Sequence, residues 1–157
     1  MAKAPVPSPT PKEERLGLSF YPADTAAAGA VVAKLRRHGV RTSRRIALKV
    51  LVHASSEEEL FAYALARARA EEMGTVKVEP AIDEIFGYTF FADDVEKLDR
   101  VNDRLDDENL RGGRSFIVRS RLHAPINYAQ FAKAVLKFQQ QYPDGRSKAG
   151  RKLAGRD

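Results

Sequence analysis

An internal repeat at an offset of 70 residues constrains the fold more than any other feature of this sequence. Residues 16–54 align without a gap on residues 86–124, with nine identities in 39 positions. Chance would give about one identity in seventeen at ordinary composition, and two amphipathic helices falling into register are the alternative explanation. The repeat predicts two related units. The identical pairs are Gly17/Gly87, Phe20/Phe90, Asp24/Asp94, Val31/Val101, Leu35/Leu105, Arg41/Arg111, Arg44/Arg114, His53/His123 and Ala54/Ala124.

Each copy opens with an apolar alternation that predicts a half-buried strand, and a segment of helical spacing follows. The alternating residues are Leu16, Leu18 and Phe20, and then Phe86, Tyr88 and Phe90. Asp24 and Asp93 are candidate caps of the helix that follows in each copy. We expect the helices to end at Gly39 and within residues 109–113, where Gly and Asn tolerate positive φ.

The next segment of each copy, residues 44–54 and 114–124, fits two kinds of secondary structure. Apolar pairs at helical spacing favour a helix, whereas β-branched Ile46, Val50 and Val52 favour a strand. Periodicity does not decide between them in so short a run. A further helix is predicted after each segment, capped by Ser55 or Ser56 in the first copy and by Asn127 in the second.

The chain therefore divides into five predicted segments. Residues 1–15 form a flexible Pro-rich tail, and residues 16–72 form the first repeat with its extra helix. A linker follows at residues 73–85, the second repeat with its extra helix at residues 86–142, and a flexible basic tail at residues 143–157.

The amino-acid composition excludes several classes of chemistry. The chain has no cysteine, so disulfides, thiolate nucleophiles and cysteine-ligated metals are excluded. No apolar run is long enough to span a bilayer, and the first residues lack the apolar core of a secretory signal. A cytoplasmic protein that does not engage a membrane is expected.

The formal net charge of +6 is concentrated in two stretches that contain no acidic residue, 25–56 and 109–143. Each includes a basic loop that leads into the ambiguous segment. Such loops are suited to phosphate groups, although a solvated basic face is the simpler alternative. The candidate phosphate contacts are Arg41, Arg44, Arg45, Arg111, Arg114 and Arg119.

In the second copy, the string YTFFADDVEKLDRV followed by GRSFIVRSRLHA resembles the ribbon-helix-helix family of DNA-binding proteins. The first copy is similar, with LSFYPAD, then RRHGV, and Lys49 where the second copy has Arg119. Tandem, single-chain members occur among conjugation and DNA-transfer accessory proteins. The matching residues are Tyr88, Phe90, Val95, Leu98, Arg114, Ser115, Val118, Arg119 and Leu122.

The resemblance implies a mainly α fold in which residues 16–21 and 86–91 pair as an antiparallel ribbon. The ribbon would enter the major groove with Arg15, Ser19 and Thr89 toward the bases, while the starts of the second helices grip phosphates. It further implies a monomer that acts as a pseudodimer on double-stranded DNA. The role would be transcriptional regulation or an accessory part in plasmid-type DNA transfer, with the extra helices open to a protein partner.

The sequence also departs from the family. The ribbon face has few long polar side chains, and Arg121 stands where the family tends to have a small apolar residue. If residues 44–54 and 114–124 are strands, the chain instead resembles ferredoxin-like regulators such as the ribonuclease E inhibitors. That α+β fold, a duplicated βαβα, would imply a protein-binding regulator.

An enzyme is the least favoured class. The sequence has no P-loop, no dinucleotide-binding glycine pattern and no HExxH motif. The equivalent histidines His53 and His123 are expected to pack at the ends of elements rather than to bind a metal. We therefore predict a protein that works without catalysis, cofactor or metal.

Overall fold

The computed structural model describes residues 11–76, 81–82 and 84–143. The elements follow one order twice, a strand and then three helices. The first set is β1 (Glu13–Phe20), α1 (Pro22–Arg37), α2 (Arg44–Ala54) and α3 (Glu57–Glu72). The second set is β2 (Glu84–Phe91), α4 (Ala92–Asp107), α5 (Arg114–His123) and α6 (Tyr128–Gln141). The described part of the chain is thus mainly helical with one two-stranded sheet, as predicted.

The two ambiguous segments are the helices α2 and α5, so their interpretation as strands is wrong. The ferredoxin-like fold, which depended on that interpretation, is wrong with it. In α2, residues 47–52 are all buried, and in α5 residues 116–118 and 120–122 are buried. A helix covered on nearly every side has no single apolar stripe, and its sequence then reads much like that of a buried strand.

Strands β1 and β2 pair antiparallel, and the equivalent glycines of the two repeats, Gly17 and Gly87, lie directly opposite each other. The ribbon is longer than the alternation predicted. Strand β1 begins at Glu13, so three residues assigned to the first tail belong to it, and β2 begins at Glu84, inside the predicted linker. The inner face of the ribbon carries Leu16, Leu18, Phe20, Tyr88 and Phe90, all buried.

The third helix of each repeat packs on the other repeat. Helix α3 contacts α4 and α5, and α6 contacts α1 and α2. The buried residues of α3 are Leu60, Ala64 and Ala68, and those of α6 are Phe131, Ala132, Val135 and Phe138. The two repeats therefore share one continuous core and are not separable domains.

Local signals for the helix ends agree largely with the sequence. Ser56 caps α3 in a capping box with Glu59, and Asn127 caps α6. Gly39 follows α1 with φ +83°, and Asn109 follows α4 with φ +59°. Asp24 lies in the first turn of α1 rather than at its cap, where its carboxylate accepts from the Tyr21 N–H.

Parts of the predicted tails and linker, residues 1–10, 77–80, 83 and 144–157, lie outside the described residues. Among the residues that are described, no helix has both the length and the apolar character to cross a membrane.

Candidate nucleic-acid interface

The outer face of the ribbon brings together the residues that the sequence placed at a DNA groove. Alternation along the two strands puts Arg15, Ser19 and Thr89 on this face, opposite the buried inner face. Gly17 and Gly87 lie at its centre. One further side chain was missed because it fell in the predicted linker. Ile85 lies opposite Ser19 and is 72% exposed.

Gly87 provides the space in which Arg15 lies. A Cβ atom added at Gly87 would come within 2.8 Å of Cζ of Arg15, so a side chain there would require the guanidinium group to move. The guanidinium group of Arg15 therefore lies over Gly87, diagonally from its direct partner Thr89. This places an exposed cation close to the centre of the outer face.

The starts of α2 and α5 flank the ribbon from its two sides. Helix α2 packs on β2, where Cζ of Arg44 lies 4.9 Å from the ring centre of Phe86. Helix α5 packs on β1, where the Ser19 N–H donates to Oγ of Ser115 at 3.0 Å. The first basic loop (residues 41–45) and the second (residues 111–114) therefore lead into helices whose starts contact the ribbon.

The first basic loop presents free cations. Arg41 and Arg45 are exposed, and Arg44 is half-buried against its aromatic neighbour. None of these three guanidinium groups forms an ion pair with a described residue, and Ser43 caps the helix that they open. The geometry keeps all three available to an anion.

In the second basic loop the cations are largely engaged. Arg111 is exposed. Arg114 forms a bidentate salt bridge with Asp99, in which Nε and Nη2 donate to the two carboxylate oxygens at 2.8 and 2.9 Å. This hydrogen bond, together with the arginine charge, lowers the pKa of Asp99 against the effect of its slight burial. The two loops, equivalent in sequence, therefore differ in free charge.

Arg119 lies inside the fold, which does not favour it as a phosphate contact. Its Nη1 donates to the carbonyl oxygen of Ser19 at 2.8 Å, and its guanidinium lies 4.9 Å from the ring centre of Tyr21. The side chain is 18% exposed and lies 3.5 Å from a carboxylate oxygen of Asp24. Arg119 thus fixes α5 against the end of β1. Lys49, its equivalent, is buried beside Glu13.

Two equivalent histidines join the repeats to each other. Nδ1 of His53 lies 2.8 Å from Oδ2 of Asp94, and Nε2 of His123 lies 2.6 Å from Oδ1 of Asp24. Each pair links the second helix of one repeat to the first helix of the other. The sequence showed all four residues as identities of the repeat, but their pairing depends on contacts between repeats that local patterns do not contain.

Burial and pairing shift the pKa values of Asp24 and Asp94 in opposite directions. Burial would raise the pKa of Asp24, but the hydrogen bonds from His123 and the Tyr21 N–H and the neighbouring positive charges outweigh it. Burial opposes ionisation of Asp94 in the same way, and His53 and Lys97 outweigh it. Both pKa values lie below the ordinary value of 3.8.

Acid is expected to lower the stability of the fold as these two aspartates protonate. Because their folded pKa values are depressed, the stabilisation is complete above the unfolded value and is lost as pH falls through the folded values. The double variant Asp24→Asn/Asp94→Asn should melt lower than the wild type at neutral pH, with a flatter profile below about pH 4. Circular dichroism melts at a series of pH values measure the melting temperature of each protein.

If the melting temperatures of the wild type and the double variant fall in parallel with acid, the two aspartates are not the cause of the loss. Asp93→Asn, at the exposed residue beside Asp94, is the matched control.

Arg121 joins two helices that belong to different repeats. It is buried, its Nε donates to Oγ of Ser55 at 2.8 Å, and its guanidinium lies 5.0 Å from the ring centre of Tyr63. This arginine therefore joins α5 to α3, a helix that the short ribbon-helix-helix pattern does not include.

His53 also borders a cavity of about 320 Å³ lined by Phe91, Phe138 and Tyr142. The same histidine and aspartate contact recurs at the equivalent position of the other repeat, which favours a structural role for the pair. Within residues 11–76, 81–82 and 84–143, no group of three or more potential ligands is placed to hold a metal ion.

No protein-family model, curated protein or solved structure matches this chain.

Proposed function

We propose that this chain binds double-stranded DNA as a single-chain pseudodimer of the ribbon-helix-helix type, without catalysis. The observation that carries the proposal is the exposed outer face of the β1·β2 ribbon, flanked by the starts of α2 and α5. A two-stranded ribbon fits the major groove of B-form DNA. Helix starts on either side of it can then meet the phosphate backbones that border the groove.

The outer face of the ribbon is suited to close approach. Gly17 and Gly87 add no side chain of their own at its centre, where the Arg15 guanidinium lies, while Ser19 and Thr89 can donate to or accept from base edges. Arg15 has the geometry for the two acceptors of a guanine, and exposed Ile85 can contact a thymine methyl group. We therefore expect modest sequence discrimination, contributed mainly by Arg15 and Ile85.

Affinity would come mainly from the phosphate contacts. The guanidinium groups of Arg41, Arg44 and Arg45 lie in and just before the start of α2, which packs on β2, and exposed Arg111 lies in the loop before α5. Contacts of this kind act on all sequences alike and position the protein on the duplex. They would supply most of the binding free energy at low salt.

Two cellular roles fit such a module, transcriptional regulation and an accessory part in plasmid-type DNA transfer. The third helices α3 and α6 use their apolar faces to join the repeats, and Leu136 of α6 remains 45% exposed. The helices α3 and α6 would also bind a protein partner.

Binding to duplex DNA should depend steeply on salt. If about six phosphates are engaged, affinity should fall on the order of a thousandfold between about 50 and 200 mM salt, because bound counterions are released. Fluorescence anisotropy with a labelled mixed-sequence duplex measures this slope. The proposal is wrong if the protein does not bind the duplex at the lower salt concentration, or if its affinity does not change with salt.

A further inference from the structure

The two arginines that open the second helices are equivalent in sequence but not in surroundings. Arg114 opens α5, and its Nε and Nη2 donate to the two carboxylate oxygens of Asp99 on α4 at 2.8 and 2.9 Å. Arg44 opens α2, and it has no ion pair with a described residue. The repeat offset places Gly29 of α1 where α4 has Asp99.

Gly29 leaves an open position on α1. It is exposed, and a Cβ atom added there would meet nothing within 4 Å. The guanidinium of Arg44 instead rests on the ring of Phe86, a contact that leaves its N–H groups free to donate. A phosphate that approaches the first loop therefore meets an unoccupied donor.

The wider charge around the two loops differs in the same direction. Residues 25–56, which include the first loop, contain no acid. The second loop follows directly on the acidic end of α4, where Asp106, Asp107 and Glu108 are exposed. Local potential near the second loop is accordingly less positive, and phosphate is attracted to it less strongly.

We infer that Asp99 competes with phosphate for Arg114. The basic loop of the first repeat then binds the DNA backbone more strongly than the basic loop of the second repeat. The inference rests on the proposed DNA-binding function. Side chains 41% and 49% exposed form an ion pair that water and salt weaken, so a phosphate can displace the carboxylate at a cost in affinity. On a duplex with two like half-sites, the loop of the first repeat would then bind its half-site more strongly than the loop of the second repeat binds the other.

Removing the competing carboxylate should strengthen DNA binding. Asp99→Asn keeps the shape of the side chain, frees the charge of Arg114, and should raise affinity about fivefold to tenfold at about 0.1 M salt. Asp103→Asn is the matched control, since it removes the same charge one turn along the same helix without a contact to Arg114.

Installing the carboxylate in the first repeat should have the opposite effect. Gly29→Asp places an acid at the position that the repeat makes equivalent to Asp99. We expect it to compete with phosphate for Arg44 and to weaken binding about fivefold to tenfold at the same salt. Gly29→Asn is the control for the change in helix propensity and size. Circular dichroism melts of all four variants establish that each is folded at the assay temperature.

The results separate this inference from the function on which it rests. Suppose that the wild type binds DNA but that Asp99→Asn has the same affinity as Asp103→Asn, or Gly29→Asp the same affinity as Gly29→Asn. The inferred difference between the two loops is then wrong, and DNA binding stands. If the wild type does not bind duplex DNA at low salt, the proposed function fails and the inference fails with it. Opposite shifts in the two acid variants, absent from their controls, are the result we expect.

Discussion

Changing Arg41, Arg44 and Arg45 together to alanine is expected to weaken binding to duplex DNA on the order of a few hundredfold at about 0.1 M salt. The three arginines lie in and just before the start of α2, which packs on β2, and make no ion pair with a described residue, so each is free for a phosphate. The salt slope should fall by about three, one for each lost contact. Anisotropy titrations at several salt concentrations measure both quantities.

A second triple variant controls for net charge. Arg67, Arg69 and Arg100 are engaged in ion pairs on α3 and α4, away from the ribbon, and replacing them with alanine removes the same three charges. This variant should bind DNA within a few fold of the wild type. Equal losses in the two triple variants would mean that binding follows overall charge rather than the first basic loop.

Changing Glu13 to glutamine is expected to lower the free energy of unfolding by about 3 kcal/mol, because it leaves a buried ammonium group without its counter-charge. Nζ of Lys49 lies 2.8 Å from a carboxylate oxygen of Glu13, and the two side chains are 4% and 9% exposed. The rings of Phe91 and Phe138 surround the same ammonium group at 4.6 and 5.5 Å. Aromatic faces attract a cation but do not replace a carboxylate. Urea denaturation measures the loss.

Two further variants test the cause of that loss. Glu14→Gln removes the same charge from the exposed neighbouring residue and should change stability by less than about 0.5 kcal/mol. The double variant Glu13→Gln/Lys49→Met removes both charges and should recover most of the stability, since no unpaired ion remains. If Glu13→Gln and Glu14→Gln are equally stable, burial of the Lys49 ammonium group is not costly and the explanation is wrong.

Local patterns were enough to place the ribbon and the ends of most helices. The alternation through Leu16, Leu18 and Phe20 identifies the inner face of β1, because side chains in a strand alternate between faces. Residues that tolerate positive φ end α1 and α4, and Ser56 and Asn127 cap the third helices. Each of these signals acts within a few residues of the structure that it determines.

What the sequence did not show depends on contacts between distant parts of the chain. The helical state of α2 follows from burial on nearly all its sides by both repeats, which no local periodicity records. Glu13 belongs to β1, and its side chain pairs with Lys49, which is 36 residues away. The candidate interface shows the same division. Alternation located Arg15, Ser19 and Thr89, whereas the pairing of Arg114 with Asp99 joins two helices and leaves no local pattern in the sequence.

The most direct test of the ribbon as the DNA-binding surface is to follow backbone amide chemical shifts by NMR while a short mixed-sequence duplex is added at low salt. We expect the largest changes at the outer-face residues Arg15, Gly17, Ser19, Gly87 and Thr89, and in the first basic loop, residues 41–45. Amides of α3 and α6, which lie behind the second helices, should change little. Unchanged ribbon amides at saturating DNA, or changes confined to α3 and α6, would contradict the account.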